Sequence, residues 1–452
     1  NIQCGNSLIG EDYFAGQLAI DPAERRRVNP FEWERAFPRV FAQGGFDAVI
    51  GNPPYINSLI LEKTLSPEIK PYWKRKFTSA SGAFDIYIIF MEMGINILRK
   101  YGLLSFIVPN KFLAAEYAID YRNWVFQEIQ IDSILDLSRV KVWPISVYPI
   151  VPVYKKDSPS NDSQTIIRTS SNNQLTSYSK QRRINHNDLN KTPDKIWSFF
   201  TQTGFDILLK VIDVSLPLEE IADVFGASTV AEGSEYPKLI IEKDTIEKDL
   251  ARFIVSGSIL RYSVTWGISP IQFTHMKYQH PMIQLKTPMP QRRSEQSRTP
   301  KIIMSKVALQ PRAYYDKKGE FAGAYTTYIF QRSVALEYIL GIINSKLLAF
   351  LYRTLYDALA MGGGYLRFQP PQVKRLPIFV LETNKAENTN KTNQLINLVD
   401  RMLDLHKCTP ATPQEQEQLR REIEATDRQI DQLVYQLYGL TDEEIKIVEE
   451  ST

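Results

Sequence analysis

The chain has 452 residues, of which 43% are hydrophobic and 23% are charged, and its formal net charge at pH 7 is +3. This length allows two or three domains with separate cores, and so small a charge does not by itself indicate a nucleic-acid partner. No apolar run approaches the roughly 20 residues that cross a bilayer, and the first residues have neither the basic end nor the apolar middle of a signal peptide.

From Asn1 to Lys156, short apolar strands alternate with helical stretches, which predicts a mostly parallel sheet covered by helices. The predicted strands cover 46–50, 103–108, 131–137 and 147–154, and a helix covers 85–100. Pro149 and Pro152 place the last strand at a sheet edge or break it, because proline cannot donate to a ladder. Since the chain begins at Asn1 and not at a methionine, we expect it to be the interior of a longer polypeptide.

The first predicted strand runs directly into a loop of sequence Asn52-Pro53-Pro54-Tyr55. Two consecutive prolines cannot donate backbone hydrogen bonds, so the chain leaves the sheet as a stiff loop whose carbonyls are unpaired. The side-chain oxygen of Asn52 and the carbonyl of Pro53 can together accept both hydrogens of a planar amino group, which frees its lone pair for an electrophile. Tyr55 adds a flat face for a ring. The loop therefore predicts methyl transfer onto an amino group.

The middle of the chain changes character twice. Residues 157–194 are rich in Ser, Asn, Gln and Thr, which predicts a linker or a surface hairpin around 165–168. A second globular region follows from Trp197 to about Val380, and within it positions 270–320 hold ten Lys or Arg against three Asp or Glu. Such a stretch is either a solvated basic face or a surface for phosphates and base edges.

Helices dominate the last part of the chain. A helix is predicted over 334–356, and after a polar connector at 382–393 a capping box, Thr412-Pro413-Gln414-Glu415, begins a long amphipathic helix. Its expected partner is a helix over 393–406, and a second capping box at Thr441 begins a short terminal helix. The Glu-x-Lys spacing at 444–446 lies on that helix and is interpreted as a solvated face.

The Asn52–Tyr55 loop and its neighbours resemble the amino-methyltransferases that act on adenine in DNA, specifically the type IIG restriction-modification enzymes. Their order resembles the gamma arrangement, with cofactor elements first, the catalytic loop next and the recognition domain last. The segments that carry the resemblance are 4–8, 83–87, 101–112, 142–156, 300–303, 311–316, 341–347 and 376–378. The glycine-rich cofactor loop of this family has no counterpart in the chain, which suggests that the chain is truncated before Asn1.

The resemblance implies an α/β fold. A partial Rossmann-like methyltransferase sheet would be followed by a mixed α/β target-recognition domain and a C-terminal helical tail. The implied segments are 1–156 for the catalytic domain, 157–195 for a polar linker or hairpin, 196–380 for recognition and 381–452 for a helical hairpin.

The implied activity transfers a methyl group from S-adenosylmethionine to the exocyclic amine of adenine in a specific double-stranded DNA site, with the base flipped out of the helix. We expect a cytoplasmic protein with no membrane partner, and we favour a monomer. The expected site residues are Asn52, Pro53, Pro54 and Tyr55 for catalysis, Tyr55 and Tyr154 for stacking, Asn6, Ser7 and Leu8 for the cofactor, and Lys277, Arg292, Arg293, Lys306, Arg312 and Arg367 for DNA. Two cysteines and four dispersed histidines predict no metal site.

Other interpretations remain open. The chain can be a catalytically inactive fragment that binds a specific DNA sequence. The same loop also occurs in enzymes that resemble protein-glutamine methyltransferases, because a side-chain amide presents an equivalent planar amino group. Cytosine amine methylation is a further alternative, although its enzymes usually carry Ser at the position of Asn52. The recognised DNA sequence and an upstream nuclease domain are beyond what the chain reveals.

Overall fold

A computed structural model describes residues 2–16, 19–57, 60, 67–138, 140, 148–170, 180–201, 204–380 and 386–451. The chain divides into two compact units, Asn1–Thr203 and Gly204–Thr452. Within the described ranges, no helix is both long enough and apolar enough to cross a membrane.

The first unit is built on one sheet. Its strands are β1 (Phe46–Gly51), β2 (Leu98–Phe106), β3 (Val108–Pro109), β4 (Gln130–Asp136), β5 (Pro149–Lys155), β6 (Gln164–Thr169) and β7 (Lys180–Asn185). Their order across the sheet is β1-β2-β5-β4-β6-β7, with β3 also pairing β5. Strand β1 lies at one end of the sheet, pairs only with β2 among the described strands, and leaves Ile50 83% exposed.

The expectation of a mostly parallel sheet was wrong. Among the described strands of this sheet, only the β1–β2 and β4–β6 pairs are parallel, whereas β5 runs antiparallel to β2, β3 and β4, and β7 runs antiparallel to β6. Apolar periodicity indicates which residues are buried but carries little information about the direction of the neighbouring strand. The sheet is therefore mixed, within an architecture that is α/β as predicted.

Strand β5 is internal, and the prediction of an edge or broken strand was also wrong. On its β4 side the pairing continues past Pro152, which lies opposite Ile134. On its other side the pairing with β2 stops at Val153 and resumes with β3 at Ile150, so Pro152 has no partner strand residue there. The proline is tolerated because the neighbouring ladder is interrupted opposite it.

The polar segment predicted as a linker or hairpin contributes two strands to this sheet. Strands β6 and β7 pair antiparallel from Gln164↔Asn185 to Thr169↔Lys180, and β6 also pairs with β4. Residues 171–179 between them lie outside the described part. The division of the chain into four segments stays a prediction.

Helices flank the sheet of the first unit. They are α1 (Pro22–Val28), α2 (Trp33–Ala36), α3 (Pro38–Phe41), α4 (Ile69–Lys76), α5 (Ile86–Asn96) and α6 (Ile119–Glu128). Helix α5 ends four residues earlier than predicted, and β2 begins at Leu98. One apolar cluster joins Leu8, Phe14, Trp73 and Phe84, so the chain start packs on α4 and the beginning of α5.

The second unit has several small sheets. Its strands are β8 (Ser215–Pro217), β9 (Ala222–Gly226), β10 (Ile240–Glu242), β11 (Leu250–Val255), β12 (Ile271–Phe273), β13 (Met276–Tyr278), β14 (Pro281–Gln284), β15 (Lys301–Ser305), β16 (Val307–Ala308), β17 (Ala313–Asp316), β18 (Phe321–Ala324), β19 (Thr326–Gln331), β20 (Leu366–Arg367) and β21 (Pro377–Phe379). Two four-stranded sheets have the orders β10-β14-β11-β18 and β17-β15-β19-β9. The pairs β12–β13, β16–β20 and β21–β8 form two-stranded ribbons.

The helices of the second unit differ from the prediction at one place. They are α7 (Phe205–Asp213), α8 (Leu218–Ile221), α9 (Val230–Glu235), α10 (Gln291–Arg298), α11 (Leu336–Ile343), α12 (Lys346–Tyr356), α13 (Pro370–Lys374), α14 (Ala386–Leu405), α15 (Pro413–Leu437) and α16 (Asp442–Ser451). The helix predicted over 334–356 is interrupted between α11 and α12. Asn344 bonds both backbone groups of Ala313 at 3.0 Å, and Ser345 caps α12 by accepting from the Leu348 N–H.

The helical tail follows the prediction, except that α14 begins at Ala386, within the segment predicted as a polar connector. Thr412 and Glu415 form the predicted capping box of α15, and α14 packs against α15 as a hairpin. Thr441 caps α16, and Glu444 at the Glu-x-Lys spacing pairs with Lys210 at 2.7 Å. That carboxylate therefore has a structural partner.

Candidate active site and nucleic-acid surface

The Asn52–Tyr55 loop leaves β1 at the end of the sheet. The carbonyl of Gly51 accepts from the Ile107 N–H at 3.2 Å, which is the last backbone contact before the loop. Asn52 and Pro54 are exposed, whereas Pro53 is buried. Among the described residues, no donor reaches the side-chain oxygen of Asn52 or the carbonyl of Pro53. Both acceptors therefore remain free for an external donor.

Tyr55 is held at both ends of its side chain. Its hydroxyl donates to the Ile107 carbonyl at 2.8 Å, and its ring packs edge-on against Tyr87, with centroids 6.2 Å apart. Burial raises the pKa of Tyr55 to about 12, so the phenol is neutral at physiological pH. The arrangement makes Tyr55 a positioned ring with no capacity to act as a base.

A hydrogen-bonded network supports the loop from behind, and the sequence did not single it out. Asp85 accepts from the Asn57 side chain at 3.1 Å and from the Tyr117 hydroxyl at 2.8 Å. The Tyr117 and Tyr87 hydroxyls lie 3.2 Å apart, and the Ile86 N–H donates to the carbonyl of Ile56 at 2.9 Å. The network connects the segment after the loop to the start of α5. Its only sequence signal was the Phe-Asp-Ile-Tyr run at 84–87.

Tyr154, predicted to stack on a base, lies inside the sheet. Only 1% of it is exposed, it pairs with Leu104 and Ile131 on the two neighbouring strands, and its ring lies edge-on to Tyr121 at 6.4 Å. No ring face is open to a ligand, so the structure contradicts the predicted stacking role. The predicted role came from the resemblance of segment 142–156, which gives no information about the burial of this side chain. Residues 142–144, which belong to the same resemblance, lie outside the described part.

The three predicted cofactor residues are engaged in local structure. The Asn6 side chain accepts from the Leu8 N–H at 3.3 Å, Leu8 is 1% exposed, and the Ser7 carbonyl accepts from the Trp33 indole at 3.1 Å. The Ser7 hydroxyl and the side-chain nitrogen of Asn6 have no partner in the described ranges. Their contact with a cofactor stays a prediction.

The six predicted DNA contacts separate into two groups. Arg293 has a side chain only 13% exposed, pairs with Glu232 at 3.1 Å and donates to the Gly226 carbonyl at 2.7 Å. These contacts hold it in the fold, and its role in DNA binding stays a prediction. Lys277, Arg292 and Arg367 are exposed, and Lys306 and Arg312 are half-buried. None of these five forms an ion pair with a described residue.

Other cations of the 270–320 stretch are also committed to the fold. Lys301 is fully buried and pairs with Asp316 at 2.7 Å. Arg298 pairs with Asp249 at 3.2 Å, and Lys317 pairs with Asp400 at 2.5 Å. The local excess of positive charge therefore overstates the cationic surface, because part of it neutralises carboxylates elsewhere in the unit.

Comparison with known protein families assigns two parts of the chain. Residues 3–143 match the Eco57I restriction-modification methylase, and residues 253–378 match the TaqI-like C-terminal specificity domain. The first match covers the Asn52–Tyr55 loop and the network behind it. The second covers the region from β11 to β21.

Curated relatives match part of the chain. The type II restriction enzyme and methyltransferase RM.Eco57I of Escherichia coli is 29% identical over 143 residues, which is 32% of this chain and 13% of the relative. The type II methyltransferase M.BstVI of Geobacillus stearothermophilus is 26% identical over 152 residues, which is 33% of this chain and 26% of the relative. The matched region spans about a quarter or less of these relatives. Among solved structures, the type IIL restriction-modification enzyme MmeI in complex with DNA aligns with a TM-score of 0.48 and 11% identity, covering 88% of this chain and 55% of that one.

Proposed function

Because this chain joins a segment of the Eco57I restriction-modification methylases to a TaqI-like specificity domain, we propose that it holds and recognises the substrate of a DNA methyltransferase. The proposed reaction transfers a methyl group from S-adenosylmethionine to the exocyclic amine of adenine within a specific double-stranded site. A monomeric state, a cytoplasmic location and the four-segment division of the chain belong to the same proposal.

The observation that carries the proposal is the pair of free acceptors at the end of β1. The Asn52 side-chain oxygen and the Pro53 carbonyl have no donor among the described residues, and the ring of Tyr55 is fixed beside them. A planar amino group has two hydrogens to donate, and two adjacent acceptors suit it. Accepting both hydrogens directs the nitrogen lone pair out of conjugation and increases its nucleophilicity.

The target base reaches this loop only outside the DNA helix. Extrusion costs a few kcal/mol, which stacking and hydrogen bonds in the site offset. Tyr55 supplies the stacking face. Its phenol is neutral and donates to the Ile107 carbonyl, so only the ring orients the base. Catalysis by these residues is positioning and electrostatic stabilisation, with no covalent enzyme intermediate.

The cofactor would supply the electrophilic methyl group. Because Asn6 and Leu8 are engaged in their own turn, no step here is assigned to contacts between residues 6–8 and the cofactor.

Asn52→Ala tests the proposal. We expect the full-length gene product to lose roughly 100-fold or more of its methylation rate, because removing one preorganised hydrogen-bonding group at a reacting centre costs about that much. The measurement is N6-methyladenine in digested DNA by mass spectrometry, with DNA binding followed separately. Asn161→Ala, in an exposed turn of the same unit, is the matched control. Methylation of the Asn52 variant within a few-fold of wild type, with DNA binding unchanged, would refute the assignment.

A second candidate function is sequence-specific DNA binding without catalysis. The feature in its favour is that the given sequence contains no glycine-rich cofactor loop. Filter binding of the chain with and without cofactor distinguishes the two, because binding that ignores the cofactor, with no methyl incorporation, supports the binding module. A protein-glutamine substrate predicts methylation of a peptide amide and no dependence on DNA.

A further inference from the structure

The β16–β20 ribbon of the second unit has one buried and one exposed face. Ala308 and Leu366 lie opposite each other and are 4% and 1% exposed, so they form the buried face. Val307 lies opposite Arg367, and both are exposed. Side chains alternate along a strand, so the next outward positions are Leu309 and Tyr365. Val307, Leu309 and Tyr365 are 39%, 44% and 44% exposed, which is unusual for neighbouring large apolar side chains.

The ribbon is held rigidly from below by α12. Arg353 pairs with Asp357 at 3.0 Å and donates to the carbonyls of Leu309 and Gly364 at 3.0 and 3.3 Å. Leu309 and Gly364 lie just beyond the last paired residues of the ribbon, so the guanidinium bonds both strands where the ladder ends. The Tyr352 hydroxyl donates to the Arg367 carbonyl. The outward side chains are therefore presented by a fixed backbone.

The turn that leads into β20 is also ordered. Gly363 and Gly364 both have φ of +78°, a conformation that L side chains rarely adopt. The Gly364 N–H donates to the Met361 carbonyl at 3.0 Å, and the Met361 N–H donates to the Tyr365 carbonyl at 2.8 Å. This turn closes on itself and fixes the start of the outward face.

The charge around this face has one sign. The two chain segments that form it, 305–313 and 360–369, contain no Asp or Glu and contribute Lys306, Arg312 and Arg367. None of the three forms an ion pair with a described residue, and the only side-chain contact of Arg367 in those ranges is from Nε to the Met361 sulfur at 3.2 Å. A narrow ribbon with cations beside exposed apolar groups complements a nucleic-acid groove, where phosphates flank base edges and thymine methyl groups.

We infer that the β16–β20 ribbon reads base sequence in a groove of double-stranded DNA. Arg367 is the residue that discriminates bases, by donating two hydrogen bonds to a guanine edge, and Val307, Leu309 and Tyr365 contact the neighbouring bases. Lys306 and Arg312 contact phosphates. This inference rests on the proposed function, and it names the element that selects the site where methylation occurs.

The test measures base preference as well as affinity. The full chain selects sequences from a duplex pool with a randomised centre, and the bound DNA is sequenced. We expect wild type to enrich one sequence, and Arg367→Ala and Arg367→Lys to lose the preference at one or two of its positions, with affinity for the wild-type sequence reduced roughly 10- to 100-fold. Arg367→Lys keeps the charge, so its binding to unrelated DNA should stay close to that of wild type.

Arg428→Ala is the matched control, because Arg428 is exposed on α15 and forms no ion pair with a described residue. It should leave the selected sequence unchanged. If both Arg367 variants select the wild-type sequence with wild-type affinity, the inference is overturned. It is also overturned if Tyr365→Ala changes the oligomeric state by light scattering while sequence selection persists, since the face would then bind a second copy. If wild type enriches no sequence, the recognition part of the proposed function fails, and this inference fails with it.

Discussion

At the scale of single residues, the position of Tyr55 depends on Ile107, which lies beside the break in the pairing of β5 with β2 and β3. Pro152 interrupts the pairing of β5 with β2 and β3, and Ile107 lies at that interruption. Its N–H bonds Gly51 and its carbonyl accepts from the Tyr55 hydroxyl. The sequence predicted an edge or broken strand, but β5 is continuous and internal and only the ladder on one side is interrupted, because which neighbouring ladder a proline affects depends on tertiary register.

Replacing Tyr55 separates its ring from its hydroxyl. We expect Tyr55→Phe to keep methylation within roughly tenfold of wild type, because one hydrogen bond contributes about 0.5–1.5 kcal/mol. Tyr55→Ala should lose more, because base stacking contributes about 1–3 kcal/mol. Steady-state methylation of a short duplex measures both. If the Phe variant were as impaired as the Ala variant, the hydroxyl would be part of the chemistry.

At the scale of elements, sequence signals within one helical turn predicted helix starts correctly, whereas features that depend on contacts between distant residues were not predicted. The capping boxes at Thr412 and Thr441 begin α15 and α16 where predicted, because a cap depends on residues within one turn. The break between α11 and α12 escaped prediction because it depends on Asn344 bonding Ala313, which is 31 residues away. The Asn52–Tyr55 loop could be proposed as a site from the sequence because its residues are contiguous, whereas the Asp85 network behind it is assembled from three separate segments.

Helix α15 carries a buried carboxylate whose titration is measurable. Asp431 is 2% exposed; one oxygen accepts from the Lys346 N–H at 2.9 Å, and the other is buried without a hydrogen bond. Burial raises the pKa of Asp431 to about 6, with the nearby Asp427 adding to the rise and Arg261 opposing it. The folded state thus binds the proton more tightly than the unfolded chain does.

The sign follows from proton linkage. Between the unfolded pKa of about 4 and the folded pKa of about 6, the folded state holds more protons, so the free energy of unfolding contributed by this group falls as pH rises. We expect Asp431→Asn to be more stable than wild type at neutral pH, by up to about 3 kcal/mol, and to lose this advantage at acid pH. Urea unfolding across that range measures it, with Asp213→Asn, an exposed carboxylate at the end of α7, as the control. A pH-independent difference would contradict the assignment.

At the scale of the whole molecule, the resemblance inferred from the sequence to restriction-modification methyltransferases is confirmed by two family matches in the expected order, methylase first and specificity domain second. The mixed α/β architecture and the helical tail are also as predicted. The role of individual basic residues was not predictable from composition. Arg293 and Lys301 lie in the same basic stretch as Lys277 and Arg292, and only burial and ion pairing distinguish them.

The outer edge of β1 has a consequence for how the chain behaves in solution. Its backbone groups on that side pair with no described strand, Ile50 is 83% exposed, and an apolar strand with an open edge is a template for strand addition by another chain. We expect the chain to self-associate at raised concentration, and Ile50→Lys to suppress this association in sedimentation velocity. Ile268→Lys, at a position 78% exposed but outside any strand, should not. Equal association of both variants would refute this prediction. If the prediction holds, the strand that presents the Asn52–Tyr55 loop is also a site of self-association.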